Sequence, residues 1–343
     1  MKPLLLPPNP IQHFYRGGDR IAALRGISQL TEFQPEEWLG STVSRFGEPE
    51  VGPAITAHGP LADLVAADPE SWVGGRGSAP ADVGVLVKLL DARQRLPTHV
   101  HPGRAFAASH LDCPYGKTEA WFVLDAEPGS ALYVGWKADV DPDQLAARRD
   151  AQDSDWLLSQ LNEIPAYPGL SVLVPAGTAH AIGTGVFVAE VQEPTDFSIL
   201  LEWSVTTSTR EESHLDLGFD AVMGAVSHAA LAGAELAALI HHAESQPSPG
   251  PETMLPAAAD PYFRVLRGQG PGGAYPASFA VVIVTAGSGT LHSVAGEIAV
   301  KSGEAYAVPY AFGAWRVTGD AAVLACLPGA GWPASLGSPG EPE

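Results

Sequence analysis

LSVLVPAGTAHAIGTGVFVAEVQ, residues 170–192, carries the reading of the fold. Its apolar runs LSVLV and VFVAEV are β-branched, too short for helices, and closed by Pro or Gly, so each reads as a β-strand ending in a tight turn. The same rhythm recurs in GVLVKLLDA (84–92), AWFVLDA (120–126), ALYVGW (131–136) and FSILLEWSV (197–205). Short strands at close spacing predict a sandwich or barrel. Residues 141–161 break the rhythm with a helical pattern opened by Asp-Pro, and residues 214–243 form a second, alanine-rich helical block. ESQPSPGPET (244–253) has the composition of a linker. Strand patterns then resume in YFRVLRG (262–268), SFAVVIVTAGSGTLHSV (278–294), GEIAVKSGEAYAVPYAFGAWRVTG (296–319) and AAVLACLPG (321–329). The expected fold is mainly β, with two barrel-like units and helical insertions between them. The boundaries fall at 1–210 for the first unit, 211–249 for the helical segment and linker, and 250–343 for the second unit.

The units share a motif. YPGLSVLVPAGTAHAIGTG and KSGEAYAVPYAFGAWRVTG each run from a glycine turn into a strand ending Val-Pro and then into another strand. His180 in the first has no histidine counterpart in the second, which predicts one working unit and one structural copy. His292, next to a strand of the second unit, lacks His or Glu partners in ligand order, so a closed apolar barrel without metal is expected there.

With 343 residues, 45% of them hydrophobic, the chain is long enough for two or three packed cores. The formal charge of -20 opposes nucleic acid and anionic membrane surfaces as partners. Cys113 and Cys326 are too few for a disulfide framework, which favours a reducing compartment. MKPLLLPPNP is interrupted by proline before any signal or membrane-length run develops, and a cytoplasmic location is expected.

Chemistry-bearing residues sit inside this strand pattern. In LPTHVHPGRAF (96–106), His99 and His101 are spaced i, i+2, which points both to one strand face about 7 Å apart. In GKTEAWFVL (116–124) the same alternation puts Lys117, Glu119 and Trp121 on one face, a pattern equally open to a solvated ion pair. His180 follows a Pro-x-Gly turn. Two histidines, a later glutamate and a final histidine form an N/O donor set suited to Zn²⁺ or another divalent transition ion. Lys88 interrupts an apolar strand, where an unpaired ammonium is costly to bury.

HxH, a later Glu and a final His in this order resemble the metal signature of the cupins. VLVKLLDA, HVHP, GKTEAWFVLDAEPGSALYVGW, VPAGTAHAIGTGVFVAE and REESHLDLGFDAV more closely resemble, in order, the type I phosphomannose isomerases. The resemblance implies a two-cupin fold and a zinc-dependent aldose–ketose isomerase interconverting mannose 6-phosphate and fructose 6-phosphate. Its Gln, His, Glu and His ligands fall on His99, His101, Glu119 and His180, the first being a departure from the family. It further implies catalytic roles for Lys117 and Glu190, and sugar-phosphate contact by Lys88. Two of the family's phosphate-contact positions hold Pro97 and Ile199 in place of Ser and Arg, with Arg104 and Arg210 as replacement cations. A small sugar or sugar phosphate is the expected partner. An isomerase of another, unphosphorylated or differently charged aldose, and a non-catalytic sugar-binding cupin, stay open beside it. Nothing in these motifs fixes the number of subunits.

Overall fold

A computed structural model describes residues 1–77, 79–243 and 247–337. Residues 244–246 of the expected linker and 338–343 of the expected second unit lie outside the described residues. The first β unit is a sandwich of antiparallel sheets. Its seven-stranded sheet runs, in spatial order, Ile240–His242, Leu170–Val174, Glu119–Ala126, Val186–Gln192, Leu86–Ala92, Glu36–Leu39 and Pro10–Ile11. Facing it, a five-stranded sheet runs Leu161–Pro165, Ala131–Trp136, His180–Ile182, His99–Val100 and Ile199–Leu200. Between them lies a core that includes Trp121, Val123, Leu132, Val134, Val172 and Val188.

The second unit repeats the plan on a smaller scale. A six-stranded sheet orders Leu4–Leu5, Ala305–Val308, Ala280–Ala286, Ala322–Pro328, Phe263–Gln269 and Glu252–Thr253, and a three-stranded sheet orders Gly296–Lys301, Ser288–Ser293 and Trp315–Gly319. Its core contains Val282, Val284, Leu291 and Tyr306, and Tyr275 stacks on Trp315 at 4.0 Å between ring centres. In both units the strand ending Val-Pro belongs to the larger sheet and the strand that follows crosses into the smaller one. The repeat read in the sequence is therefore a repeat of chain path.

The large sheets pack back to back. Val87, Leu89, Ala120, Phe122 and Val191 of the first share one apolar cluster with Val281, Ile283, Phe263 and Leu324 of the second. A strand covered on both faces reads as a continuous apolar run rather than an alternating one. That explains why Leu86–Ala92 and Val186–Gln192 are buried at every position. One face of each strand meets the other unit, leaving the opposite face to line the interior of the sandwich.

Two short strands depart from the expected boundaries. Leu4–Leu5 pairs with Tyr306 and Ala307 of the second unit, while Ile240–His242 pairs with Leu170–Val172 of the first. Both cover sheet edges that would otherwise present unpaired backbone groups. The helical pattern at 141–161 forms Pro142–Asp150 and Ser154–Ser159, capped by Asp141 and Asp153. The alanine-rich block at 214–243 does not form one helix. It yields only the short helices Phe219–Val222 and Gly233–Ala238 with a single 3₁₀ turn, Met223–Ala225, between them. Gly218 and Gly233 adopt positive φ there, a conformation a continuing helix does not allow.

Candidate active site

Register brings the histidines together. His180 stands directly opposite His99 in adjacent antiparallel strands, and His101 lies two residues further along. The three imidazoles pack with ring centres 4.1 to 4.9 Å apart, and their ligand-type nitrogens all fall within 4.8 Å of one another. Each Nδ1–H donates to a backbone carbonyl: His99 to Pro97 at 2.8 Å, His101 to Phe197 at 2.7 Å and His180 to Thr178 at 2.7 Å. These bonds fix one tautomer and leave Nε2 as the lone-pair atom, the arrangement outer hydrogen bonds impose on ligating histidines. Burial lowers all three pKa values, to about 3 for His101 and His180, so the rings are neutral at pH 7.

Glu119 comes from the opposite sheet. Its oxygens lie 3.0 Å from His101 Nε2 and 3.4 Å from His180 Nε2. Lys117 Nζ hydrogen-bonds Glu119 and stands 2.6 Å from His101 Nε2. Burial disfavours the Glu119 carboxylate, but Lys117 and His101 hold its pKa well below the usual range. The three neutral imidazoles form a group able to hold a metal ion, and the ionised Glu119 carboxylate lies beside them. His180 Nε2 has no hydrogen-bond partner among the described residues, although it is buried. Lys117 Nζ thus touches Glu119 and His101 and leaves the other two imidazoles free of it.

The remaining groups come from one row across the large sheet. Trp38 pairs with Lys88, Lys88 with Glu190, and Glu190 with Trp121, so their side chains share a face. Lys88 Nζ lies 3.3 Å from Glu36, 3.3 Å from Asp196, 3.8 Å from Glu190, and 4.7 Å over the Trp38 ring. Burial opposes its charge, but these carboxylates outweigh that and raise its pKa. Burial, with the Glu119 charge second, raises Glu190 to about 8 against the opposing pull of Lys88 and Lys117. Glu190 Oε1 is 3.8 Å from Lys117 Nζ and accepts no hydrogen bond.

These groups line a narrow cleft whose free volume is about 30 Å³. Lys88, His99, His101, Lys117, Glu119 and Glu190 all line it, as does Pro97. His180 lies against its wall, with its ring 5.6 Å from that of Trp121.

Two expected contacts fall elsewhere, and the altered position Ile199 faces away from the cleft. Arg104 pairs with Glu193 at 2.5 Å, donates to the Ser335 carbonyl and stacks over Tyr262. Arg210 is half-exposed and reaches Asp150 at 3.3 Å. Ile199 is fully buried against Leu215, Phe219 and Val222, because its neighbours Ser198 and Leu200 take the cleft face. His292 of the second unit is exposed, with Glu297 opposite it at 3.7 Å, so it does have a carboxylate neighbour, but on the surface.

His13, Tyr15, Glu36 and Asp196 also line the cleft and escaped the sequence reading. Tyr15 donates to Glu36 at 2.5 Å, Trp38 donates to it at 2.9 Å, and His13 Nε2 lies 3.3 Å away. Burial lowers His13 to about 4, so this contact joins a neutral imidazole to a carboxylate and is not an ion pair at pH 7.

No family model matches the chain. Against curated proteins it is 27% identical over 316 residues to the mannose-6-phosphate isomerase of Streptococcus mutans, covering 90% of this chain and 93% of that one. It is 34% identical over 112 residues to mannose-6-phosphate isomerase ManA of Bacillus subtilis, covering 33% of this chain and 34% of the relative. Among solved structures, the mannose 6-phosphate isomerase of Bacillus subtilis superposes with a TM-score of 0.72 at 22% identity, over 95% of this chain and 99% of the other. A mutant phosphomannose isomerase of Salmonella typhimurium superposes at 0.70 with 15% identity, over 96% and 100%. Fold and site together define a protein of two antiparallel β-sandwich units with a three-histidine cluster in the first, Glu119 beside it. More particularly, the chain is similar along most of its sequence to a protein named mannose-6-phosphate isomerase, and over nearly all of its fold to proteins named mannose 6-phosphate or phosphomannose isomerases. No helix among the described residues is long and apolar enough to cross a membrane.

Proposed function

We propose that this protein is a metal-dependent aldose–ketose isomerase working in the cleft between Lys88, Lys117, Glu190 and the three histidines. The observation that carries the reading is the convergence of three Nε2 atoms, each imidazole tied through Nδ1 to a backbone carbonyl, with Glu119 and Lys117 beside them. His99, His101, Glu119 and His180 would hold the ion. We assign Zn²⁺, and another divalent transition ion suits the same donors. When bound, it supplies positive charge to the substrate oxygens as they become anionic.

The chain's own groups handle the proton. Aldose-to-ketose conversion takes the proton from C2 and returns one to C1, while the C1 oxygen gains a proton and the C2 oxygen loses one. Glu190, buried and poised near neutrality, is suited to accept the carbon-bound proton and give it back. Lys117, 3.8 Å from Glu190, is placed to donate to the oxygens between which charge moves. Lys88 and Glu36 bind and orient hydroxyls further along the cleft.

A sugar-binding cupin without catalysis has no use for a proton acceptor with a raised pKa beside a lysine, and that pairing favours the enzyme reading. Mannose 6-phosphate and fructose 6-phosphate, the pair implied by the names of the relatives, are the reference substrates for the test. Protein loaded with zinc should convert an aldose to its ketose and exchange the C2 proton with deuterium from solvent, and chelator should stop both. Metal-loaded, folded protein that exchanges no C2 proton from any aldose or aldose phosphate would exclude the reading.

A further inference from the structure

We propose that the cleft takes an uncharged aldose in preference to a sugar phosphate, a refinement that rests on the isomerase reading above. With Glu119 taken up by the metal, three carboxylates line the cleft, Glu36, Glu190 and Asp196, against two ammonium groups, Lys88 and Lys117. Lys88 is already shared among Glu36, Asp196 and Glu190, and Lys117 stands at the metal end of the cleft beside Glu119 and Glu190, where it serves the reacting oxygens. A phosphate monoester near neutral pH brings about -1.5 to -2 charges and three acceptor oxygens, and needs donors that are not already neutralised.

The arginines do not supply them. Among the described residues no arginine lines the cleft, and the residues outside the described set include no lysine or arginine. Arg104 is committed to Glu193 and Ser335, and Arg210 to Asp150. Arg45, whose charge reaches His13, donates to the Gln12 carbonyl at 2.8 Å and pairs with Glu48. Pro97, at one of the two altered positions, lines the cleft without any donor.

What the cleft does offer suits hydroxyl groups. His13 Nδ1, Trp121 Nε1 and Glu190 Oε1 are buried without hydrogen-bond partners among the described residues, and all three side chains line the cleft. A hydroxyl both donates and accepts, so a polyhydroxy aldehyde can satisfy an indole N–H, an imidazole nitrogen and a carboxylate together. The ionised phosphoryl oxygens of a sugar phosphate are acceptors and add no donor for the same carboxylates.

The test compares zinc-loaded protein on unphosphorylated aldohexoses and aldopentoses with the matching terminal phosphates. The expected result is a kcat/KM at least about tenfold higher for an unphosphorylated aldose, with no competition from inorganic phosphate. A phosphate ester used as well as or better than its parent sugar overturns the proposal, as does phosphate inhibition that is lost in Arg45→Ala. If no aldose of either kind is turned over, the isomerase reading fails, and calorimetric titration then decides the substrate class separately. Heat from a neutral aldose but not from its phosphate supports the proposal, and the reverse overturns it.

Discussion

Lys117 Nζ and Glu190 Oε1 face each other across 3.8 Å of buried cleft, close enough to feel each other's charge and too far to form a hydrogen bond. That spacing leaves the Glu190 oxygen without a donor, while burial and, second, the Glu119 charge raise its pKa to about 8. Glu190→Gln keeps the shape and removes the proton acceptor. Its kcat should fall by about 10² to 10⁴-fold with little change in KM or metal content. Kinetics with parallel metal analysis would check this, and wild-type C2 proton exchange in the variant would remove Glu190 from the mechanism.

Metal binding should follow the number of imidazoles whose Nε2 faces the centre. His101→Ala and His180→Ala each remove one, and are expected to weaken zinc binding by more than about a hundredfold, beyond the range for disturbing only outer hydrogen bonds. His99→Gln substitutes an amide that can still donate an oxygen, and should retain zinc. Competition with a chromophoric chelator reads all three variants independently of activity.

The fold was legible because its strands are short and their ends are marked by Gly and Pro. Period-two alternation correctly grouped Lys117, Glu119 and Trp121 on the cleft face, and their burial replaces the solvated ion pair that the sequence left open. Lys88 and Glu190 were visible as single charges within apolar runs. His13, Tyr15, Glu36 and Asp196 were not. They lie in short strands and loops where polar residues are ordinary, and only the closing of distant segments brings them to one cleft. Arg104 and Arg210 lie outside the cleft lining because each guanidinium pairs with a carboxylate, and neither Glu193 nor Asp150 is signalled as that partner by sequence spacing.

Acid should destabilise the protein in a window set partly by His13. Its pKa falls from 6.5 to about 4 on folding, so between those values the unfolded chain binds the extra proton and the folded one does not. Stability is therefore retained above about 6.5 and declines as pH falls toward 4, by roughly 3 kcal/mol for this residue alone. Urea unfolding of metal-free protein at several pH values between 4 and 7 should give a shallower decline for His13→Asn than for wild type. Equal slopes would show that His13 is not buried in its neutral form.

Ile199 and Ser198 offer the sharpest test of the phosphate contact that the family resemblance implies near this strand. Adjacent strand residues point to opposite faces. Ser198 accordingly lines the cleft, its Oγ 3.4 Å from His101 Nδ1, whereas Ile199 is sealed among Leu215, Phe219 and Val222. Restoring an arginine at the position where sequence alignment expects one, Ile199→Arg, would bury a guanidinium in an apolar cluster. It should cost about 4 kcal/mol or more of stability without helping a sugar phosphate to bind. Ser198→Arg instead adds the cation on the cleft side, and one guanidinium–phosphate contact is worth about 1.5 to 3 kcal/mol, or roughly ten- to a hundredfold in affinity. Thermal unfolding and inhibition by inorganic phosphate, measured on both variants, separate the two positions. An Ile199→Arg protein that melts like wild type and gains phosphate affinity would mean that the face assigned to this strand is wrong.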